Sequence, residues 1–363
     1  MNNKYLIVGA GITGITITER LASRGNEVIL IDLRNTIGGN CYDYFDENRN
    51  YIQKYGPHIF HTNETRVWKY LSKYTKFNNY SHYVYVSISS KKINIPFNLN
   101  SIDLVFSSKQ SKVIKSILLD EFKLSEKIPI LNLRKSSNPL IIKLSDYIYE
   151  NVFLNYTLKQ WGLKPNEIDP SVTARVPVFI SKDNRYFQDK YQGIPVKGFS
   201  AMFNSMIKNK NIKLILGKDY KKIINGQNFE KIFYTGPLDY FFDYKYGKIL
   251  YRRIKLKFQK YNKESFQMNS VINYPNNYKF TRKTEFNKFL FLKNDSTIVA
   301  KEYASWDKGF LGYPVQNDSN FKIIDKYINE AKKLKNIIFA GRLAECKYYN
   351  IDQAVNRALE ITK

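Results

Sequence analysis

The chain has 363 residues, 43% hydrophobic and 15% aromatic, enough to bury a large core in two or three subdomains and too apolar for a disordered chain. Lys and Arg number 58 against 32 Asp and Glu, a formal net charge of +26. No run of 18 apolar residues occurs and the first apolar run reads as a strand, so neither a membrane span nor a signal peptide is expected. The lysines are scattered, often in pairs such as Lys91-Lys92, Lys221-Lys222 and Lys332-Lys333, without a long basic run or a nucleic-acid-reading motif. They read as a solvated surface that draws in anionic ligands and holds anionic membranes weakly, not as a nucleic-acid interface. Cys41 and Cys346 have no disulfide or zinc spacing, which fits a reducing, cytoplasmic setting.

Tyr5-Leu6-Ile7-Val8 runs into Gly9-Ala10-Gly11-Ile12-Thr13-Gly14, a helical pattern follows (Ile15, Ile17, Leu21), and a second apolar run, Val28 to Ile31, ends on Asp32. Strand, glycine turn, helix, strand and acid in this order form the dinucleotide fingerprint in its full context. Gly9, Gly11 and Gly14 allow a tight turn and a close approach to a pyrophosphate at the helix N-terminus, and Asp32 is placed to accept from a ribose. Past the acid, Gly38-Gly39-Asn40 lets backbone amides reach a second part of the same cofactor. That extra turn favours FAD over a nicotinamide.

All three histidines follow closely: His58 and His61 in Tyr55-Gly56-Pro57-His58-Ile59-Phe60-His61, and His82. Two at three-residue spacing beside a Gly-Pro bend point to a site with adjustable charge near neutral pH, and no carboxylate or cysteine spacing suggests a metal. Residues 83–97 read as two strands and 100–160 as helices. Residues 161–200 read as a long loop, either a lid or a connection, carrying Arg175, Arg185, Tyr186, Phe187 and Tyr191. Short strands and turns are expected over 212–305, among them Lys231–Pro237 and Ser296–Ala300. Near the end Asn336–Ala340 reads as a buried strand, then Gly341-Arg342 and a helix with Ala354, Val355, Ala358 and Leu359 on one face, returning to the first sheet.

The expected class is α/β: a Rossmann-like FAD-binding domain with an inserted helical subdomain and an antiparallel β-sheet substrate domain. Residues 1–80, about 195–240 and 330–363 are assigned to the first, about 98–165 to the helices, and about 81–97, 166–194 and 241–329 to the sheet and a mobile lid.

The 55–61 stretch, Tyr156-Thr157-Leu158-Lys159-Gln160-Trp161-Gly162, Arg175-Val176-Pro177-Val178, Tyr186–Pro195 and Gly341-Arg342-Leu343-Ala344 together resemble bacterial UDP-galactopyranose mutase, in the family's order and over nearly the whole chain. The resemblance implies an isomerase that uses reduced FAD: flavin N5 takes the sugar from its nucleoside diphosphate, the ring opens on the resulting adduct, and a different hydroxyl closes a five-membered ring. It places Arg175 and Arg282 at the diphosphate as catalytic residues, with His58 and His61 around the flavin and sugar. Tyr186, Tyr313 and Tyr348 supply hydroxyls. Tyr156 stacks on the nucleobase near Thr157, Trp161 and Asn273. Phe187, Arg252 and Glu302 join the substrate and flavin surroundings, and Arg342 and Asn350 join the cofactor set. It further implies a nucleotide-sugar substrate for surface polysaccharide synthesis, a cytoplasmic homodimer, and no nucleic-acid partner.

Three positions depart from the family pattern: His82 where Asn is usual beside the sugar, Phe179 in place of the lid's second Arg, and Asn350 in place of an Asp. A changed hydrogen-bonding set at a sugar alters discrimination, so the sugar and nucleobase stay open while the chemistry does not. Two other readings are weighed. An FAD amine or sugar oxidoreductase shares the amino-terminal fingerprint but has no diphosphate for paired arginines to hold. A basic, flavin-bearing nucleic-acid binder rests on net charge alone.

Overall fold

A computed structural model describes residues 3–174, 176–224 and 227–363 of the chain. A parallel five-stranded sheet has β1 (Lys4–Val8) at its centre, with β2 (Glu27–Asp32) and the outer strand Ile212–Leu216 on one side. Lys231–Tyr234 and Ile337–Phe339 lie on the other. Leu6, Ile7, Leu30 and Ile31 are wholly buried, as expected of strands covered on both faces. The helix Ile12–Ala22 packs on this sheet beside the last helix, Ile351–Ile361, so the C-terminal strand and helix do return to the first sheet.

A second sheet has seven strands in the order 310–314, 251–261, 297–305, 282–285, 271–273, 84–88, 91–95. Its pairings are antiparallel except for 271–273 against 84–88, which is parallel. The expectation of short strands over 212–305 fails for Tyr251–Tyr261 and Thr297–Ser305, of 11 and 9 residues. The first alternates basic and apolar residues without a turn former (Arg253, Ile254, Lys255, Leu256, Lys257), so it continues as one ribbon. Lys231–Tyr234 belongs to the parallel sheet instead, in register with Tyr5–Val8.

The helices of residues 99–161 pack on one another and against the antiparallel sheet. Pro139–Ile148 passes through a π-helical turn, Tyr149–Leu154, into Asn155–Trp161, which ends at Gly162 with φ +72°. Residues 161–200 are more structured than a loop. They hold the helix Pro170–Ala174, a two-residue strand Val178–Phe179 paired with Lys127–Ile128, and Tyr191–Gly193 paired with Phe60–Thr62. Phe179 is buried there, its amide donating to the Phe97 carbonyl at 2.8 Å.

Asp43 ties distant segments together. Its carboxylate accepts from the Tyr51 hydroxyl (2.5 Å) and from the amides of Phe199 (2.6 Å) and Ser200 (2.8 Å), the unpaired donors at the start of helix Phe199–Met206. Among the described residues no helix is long and apolar enough to cross a membrane.

Candidate active site

Two adjoining cavities occupy the junction of the sheets. The smaller, about 320 Å³, sits at the carboxyl ends of the parallel strands, where ligands of open α/β sheets bind. Gly9, Gly11, Gly38, Gly39, Asn40 and Asp32 line it. The glycines divide the work. A Cβ on Gly39 would lie 2.9 Å from Gly11 Cα, so the two turns touch, whereas a Cβ on Gly11 would meet nothing closer than 3.9 Å and faces open space. Gly14 does not line the cavity. Its missing Cβ would sit 1.9 Å from the Gly9 carbonyl oxygen, so it is what lets the helix close on β1.

Asp32 accepts from the Ala10 amide (2.7 Å) and the Arg34 amide (2.8 Å), fixing the glycine turn while each oxygen keeps a further lone pair for a hydroxyl. Arg34, which the sequence motifs did not single out, lines the cavity; its Nη2 donates to Asn40 Oδ1 at 3.0 Å and its Nη1 is buried with no partner. Open backbone space, an acid and a guanidinium nitrogen in want of an acceptor together suit an adenine dinucleotide with its pyrophosphate over Gly11.

The larger cavity, about 660 Å³, shares Asn40, His58, Gly312, Arg342, Asn350 and Ile351 with the smaller. Its floor is an in-register row across the antiparallel sheet: Asn273 opposite Arg282, and Arg282 opposite Glu302. Arg282 Nη2 lies 3.0 Å from Glu302 Oε1. Burial opposes the Arg282 charge, but the Glu302 carboxylate and the surrounding tyrosines outweigh it, so the guanidinium stays protonated at any working pH. Asn273 Oδ1 and Arg282 Nε are buried without partners. Unsatisfied groups of this kind at a cavity floor call for a polar ligand.

The helix Asn155–Trp161 supplies one wall, with Tyr156, Thr157 and Gln160 on the cavity side by their i, i+1, i+4 spacing. Gln160 Nε2 hydrogen-bonds Tyr313 Oη and lies 3.4 Å from Glu302 Oε1. Trp161 packs on Tyr313 (4.6 Å between ring centroids), and Tyr313 meets Tyr348 edge-on at 5.1 Å. Burial raises the Tyr156 and Tyr313 phenols well above their usual range, so both are hydroxyl donors and never phenolates near neutrality.

The three histidines also line this cavity. His58 is gripped by Gln53, which accepts its amide at 2.6 Å and donates to its carbonyl at 2.9 Å. Its Nδ1 donates to the Gly56 carbonyl at 2.9 Å, which leaves Nε2 as an acceptor where the cavities join. Burial pulls its pKa down to about 4, the Gly56 bond opposing and the guanidinium groups of Arg342 and Arg282 assisting. His82 is buried, its Nδ1 2.8 Å from the Tyr80 hydroxyl, and burial, assisted by the Arg282 charge, takes its pKa down to about 3. His61 lies on Phe187, and Tyr186 donates its amide to the His82 carbonyl at 2.7 Å.

Two expectations fall elsewhere. Arg252 is not a cavity residue. It is buried behind the wall, donating to the carbonyls of Gln160 (2.9 Å) and Lys159 (3.0 Å) and stacking on Trp306 at 4.2 Å. The carbonyls at a helix C-terminus lack helical partners and attract a cation, which explains its position. Arg175 lies outside the described residues. Asn350 caps the last helix, its amide donating to Gln353 Oε1 at 2.9 Å, and lines both cavities with Arg342, whose Nη2 donates to the Tyr349 carbonyl at 2.6 Å. Gln160, Arg34 and Asp189 join the lining without having been singled out, although Gln160 and Asp189 stand inside the motifs that carry the resemblance.

A Rossmann cradle that opens on an arginine-floored, tyrosine-rich cavity defines the class: a dinucleotide-dependent enzyme acting on an anionic substrate. A family model for a Rossmann-like NAD(P)-binding domain matches residues 7–74, and one for UDP-galactopyranose mutase matches residues 151–348. The dTDP-fucopyranose mutase of Escherichia coli is 34% identical, over 99% of this chain and 97% of its own. The UDP-galactopyranose mutase of Mycoplasma genitalium is 33% identical, over 96% and 91%. A crystal structure of reduced UDP-galactopyranose mutase superposes with a TM-score of 0.72, covering 100% of this chain and 93% of that one at 14% identity, a likeness of fold. The chain belongs to the UDP-galactopyranose mutase family and is an isomerase of nucleotide sugars.

Proposed function

We propose that this mutase interconverts the pyranose and furanose forms of UDP-galactose or a close relative, using reduced FAD, to supply surface polysaccharide synthesis. The observation that carries the reading is the Arg282–Glu302 pair, set among tyrosine hydroxyls in a cavity that joins the dinucleotide cradle at His58. Reduced FAD, when bound, supplies an electron-rich centre that takes the sugar from its diphosphate. Gly11, Gly39, Arg34 and Asp32 would hold its adenosine diphosphate end, and His58, Arg342 and Asn350 the junction.

The chain's own residues then handle the leaving half. As the bond to the sugar breaks, charge builds on the diphosphate, and Arg282 with the Tyr186, Tyr313 and Tyr348 hydroxyls is placed to stabilise that charge more than the ground state. Glu302 offsets part of the Arg282 charge and holds it in place, so the diphosphate is retained without being bound too tightly to return. Arg175, by resemblance, is the second cation. Tyr156, Thr157 and Trp161 offer a face for the base, and the aromatic walls exclude water that would trap an opened sugar.

Relatives named for UDP-galactopyranose and for dTDP-fucopyranose bracket the substrate. His82, neutral and buried beside Tyr186, is the residue we assign to choosing between them. A homodimer in the cytoplasm fits the family and the reduced cysteines. An amine-oxidising role fits less well, because an amine presents nothing to the Arg282 floor.

The test is to incubate the flavin-loaded protein with UDP-galactose and with dTDP-fucose, with and without dithionite, and separate the products by chromatography. A furanose product only after reduction is expected. Turnover that needs an oxidant, or none with any nucleotide sugar, overturns the reading.

A further inference from the structure

The three histidines face one cavity but are held differently. His58 and His82 bond through Nδ1 to neutral groups, the Gly56 carbonyl and the Tyr80 hydroxyl. His61 faces a carboxylate: its Nδ1 lies 2.8 Å from Asp189 Oδ2, and the other oxygen, Oδ1, accepts from Asn63 Nδ2 at 2.8 Å. The ring lies nearly flat on Phe187, with centroids 3.6 Å apart and planes at 12°. The backbone beneath is fixed as well, because His61 pairs with Gln192 across the 60–62 and 191–193 strands. Among the charged neighbours, Arg282 acts on His82 and Lys127 on the Asp189 carboxylate. The His61 hydrogen bond holds the Asp189 carboxyl below its ordinary range, so the carboxylate is ionised near neutrality.

An ionised carboxylate can only accept, so Nδ1 of His61 keeps its hydrogen and Nε2 of the neutral ring is an acceptor. We propose that Asp189 is a positioning residue that locks His61 in the Nδ1–H tautomer, so that Nε2 accepts from one hydroxyl of the sugar. The proposal rests on the mutase reading and deepens it by naming how one hydroxyl is read. A site built to accept a hydroxyl penalises a sugar that lacks it, since the ring nitrogen is left unpaired. An orienting carboxylate does the same for the histidine of a serine protease, where an amide in its place yields the wrong tautomer.

Two readouts test this on the flavin-loaded protein. In 15N NMR of the histidine rings the wild type should show His61 as the Nδ1–H tautomer. In Asp189→Asn the amide can donate to Nδ1, and the Nε2–H form should become the major one. In kinetics with UDP-galactose deoxygenated singly at C2, C3 or C6, the wild type should lose on the order of a hundredfold in kcat/KM for one of them. Asp189→Asn should turn over the parent more slowly and lose less than about tenfold for that same analogue. Asp189→Ala, which removes the acceptor without offering a donor in its place, should move both readouts the same way by less, and serves if Asp189→Asn does not fold. An Nε2–H tautomer in the wild type, an unchanged tautomer in Asp189→Asn, or an equal deoxy penalty in both proteins overturns the proposal. A wild type that turns over no nucleotide sugar defeats the mutase reading, while the tautomer result still decides the Asp189–His61 pair.

Discussion

At the scale of single residues, the half-buried Arg282 and the buried His82 show how surroundings set chemistry. Arg282 keeps its charge inside the protein because Glu302 stands opposite it in register, 3.0 Å away. Arg282→Ala should lower kcat on the order of 10²- to 10³-fold, the loss seen when one donor to a developing anion is removed, with the flavin spectrum unchanged. Glu302→Gln should instead act on stability, costing about 3 kcal/mol in urea unfolding, because a poorly solvated guanidinium is left without its counter-charge. His82 acts through pH. Its pKa falls from 6.5 to about 3 on folding, so below pH 6.5 the unfolded chain binds a proton that the folded chain refuses. Stability therefore drops as pH falls from 6.5 and levels off only near 3. His82→Asn removes that proton, and the difference in unfolding free energy between pH 7.5 and pH 5 should shrink by about 2 kcal/mol.

At the scale of elements, the turn between β1 and its helix separates a folding requirement from a binding one. Gly14→Ala places a Cβ 1.9 Å from the Gly9 carbonyl oxygen, a backbone atom that cannot give way, and should destabilise the protein by about 2–3 kcal/mol. Gly11→Ala meets only open space, so its melting temperature in the flavin-free form should match the wild type. The new methyl fills the space assigned to the pyrophosphate, so flavin should be lost on gel filtration. Equal flavin retention in the two variants would mean the cradle is misassigned. The helix that ends in Trp161 adds a second lesson. Its π-helical turn at 149–154 re-aims the following residues, and Arg252 pins its last carbonyls. A role that motif order assigned to substrate is met at the helix end instead.

At the scale of the whole molecule, the net charge of +26 is spread over a surface whose substrate is a dianion. Scattered lysines add little to stability but bias diffusional encounter, and salt screens that bias. Raising ionic strength from about 10 mM to about 300 mM should lower kcat/KM for the nucleotide sugar several-fold while leaving kcat within about a factor of two. A flat kcat/KM would leave the excess of lysines without a part in capture.

The local chemistry of the dinucleotide turn was legible from residues 4 to 40 alone, because a tight turn, a helix start and an acid-bearing strand are contiguous and each has its own residue signature. The return of the last helix could be read for the same reason, since the one-sided helix at 351–361 advertises burial locally, whereas the apolar run at 337–339, expected to be a buried strand, is a half-buried edge strand of the parallel sheet. Three things could not be read that way. The row Asn273–Arg282–Glu302 depends on cross-strand register, the coupling of His61 to Asp189 joins residues 128 apart, and Arg252 depends on where a helix ends in space. Side-chain type and spacing along the chain fix what a segment can form. Which charge meets which, and which face is emptied of water, is decided only when distant segments pack together.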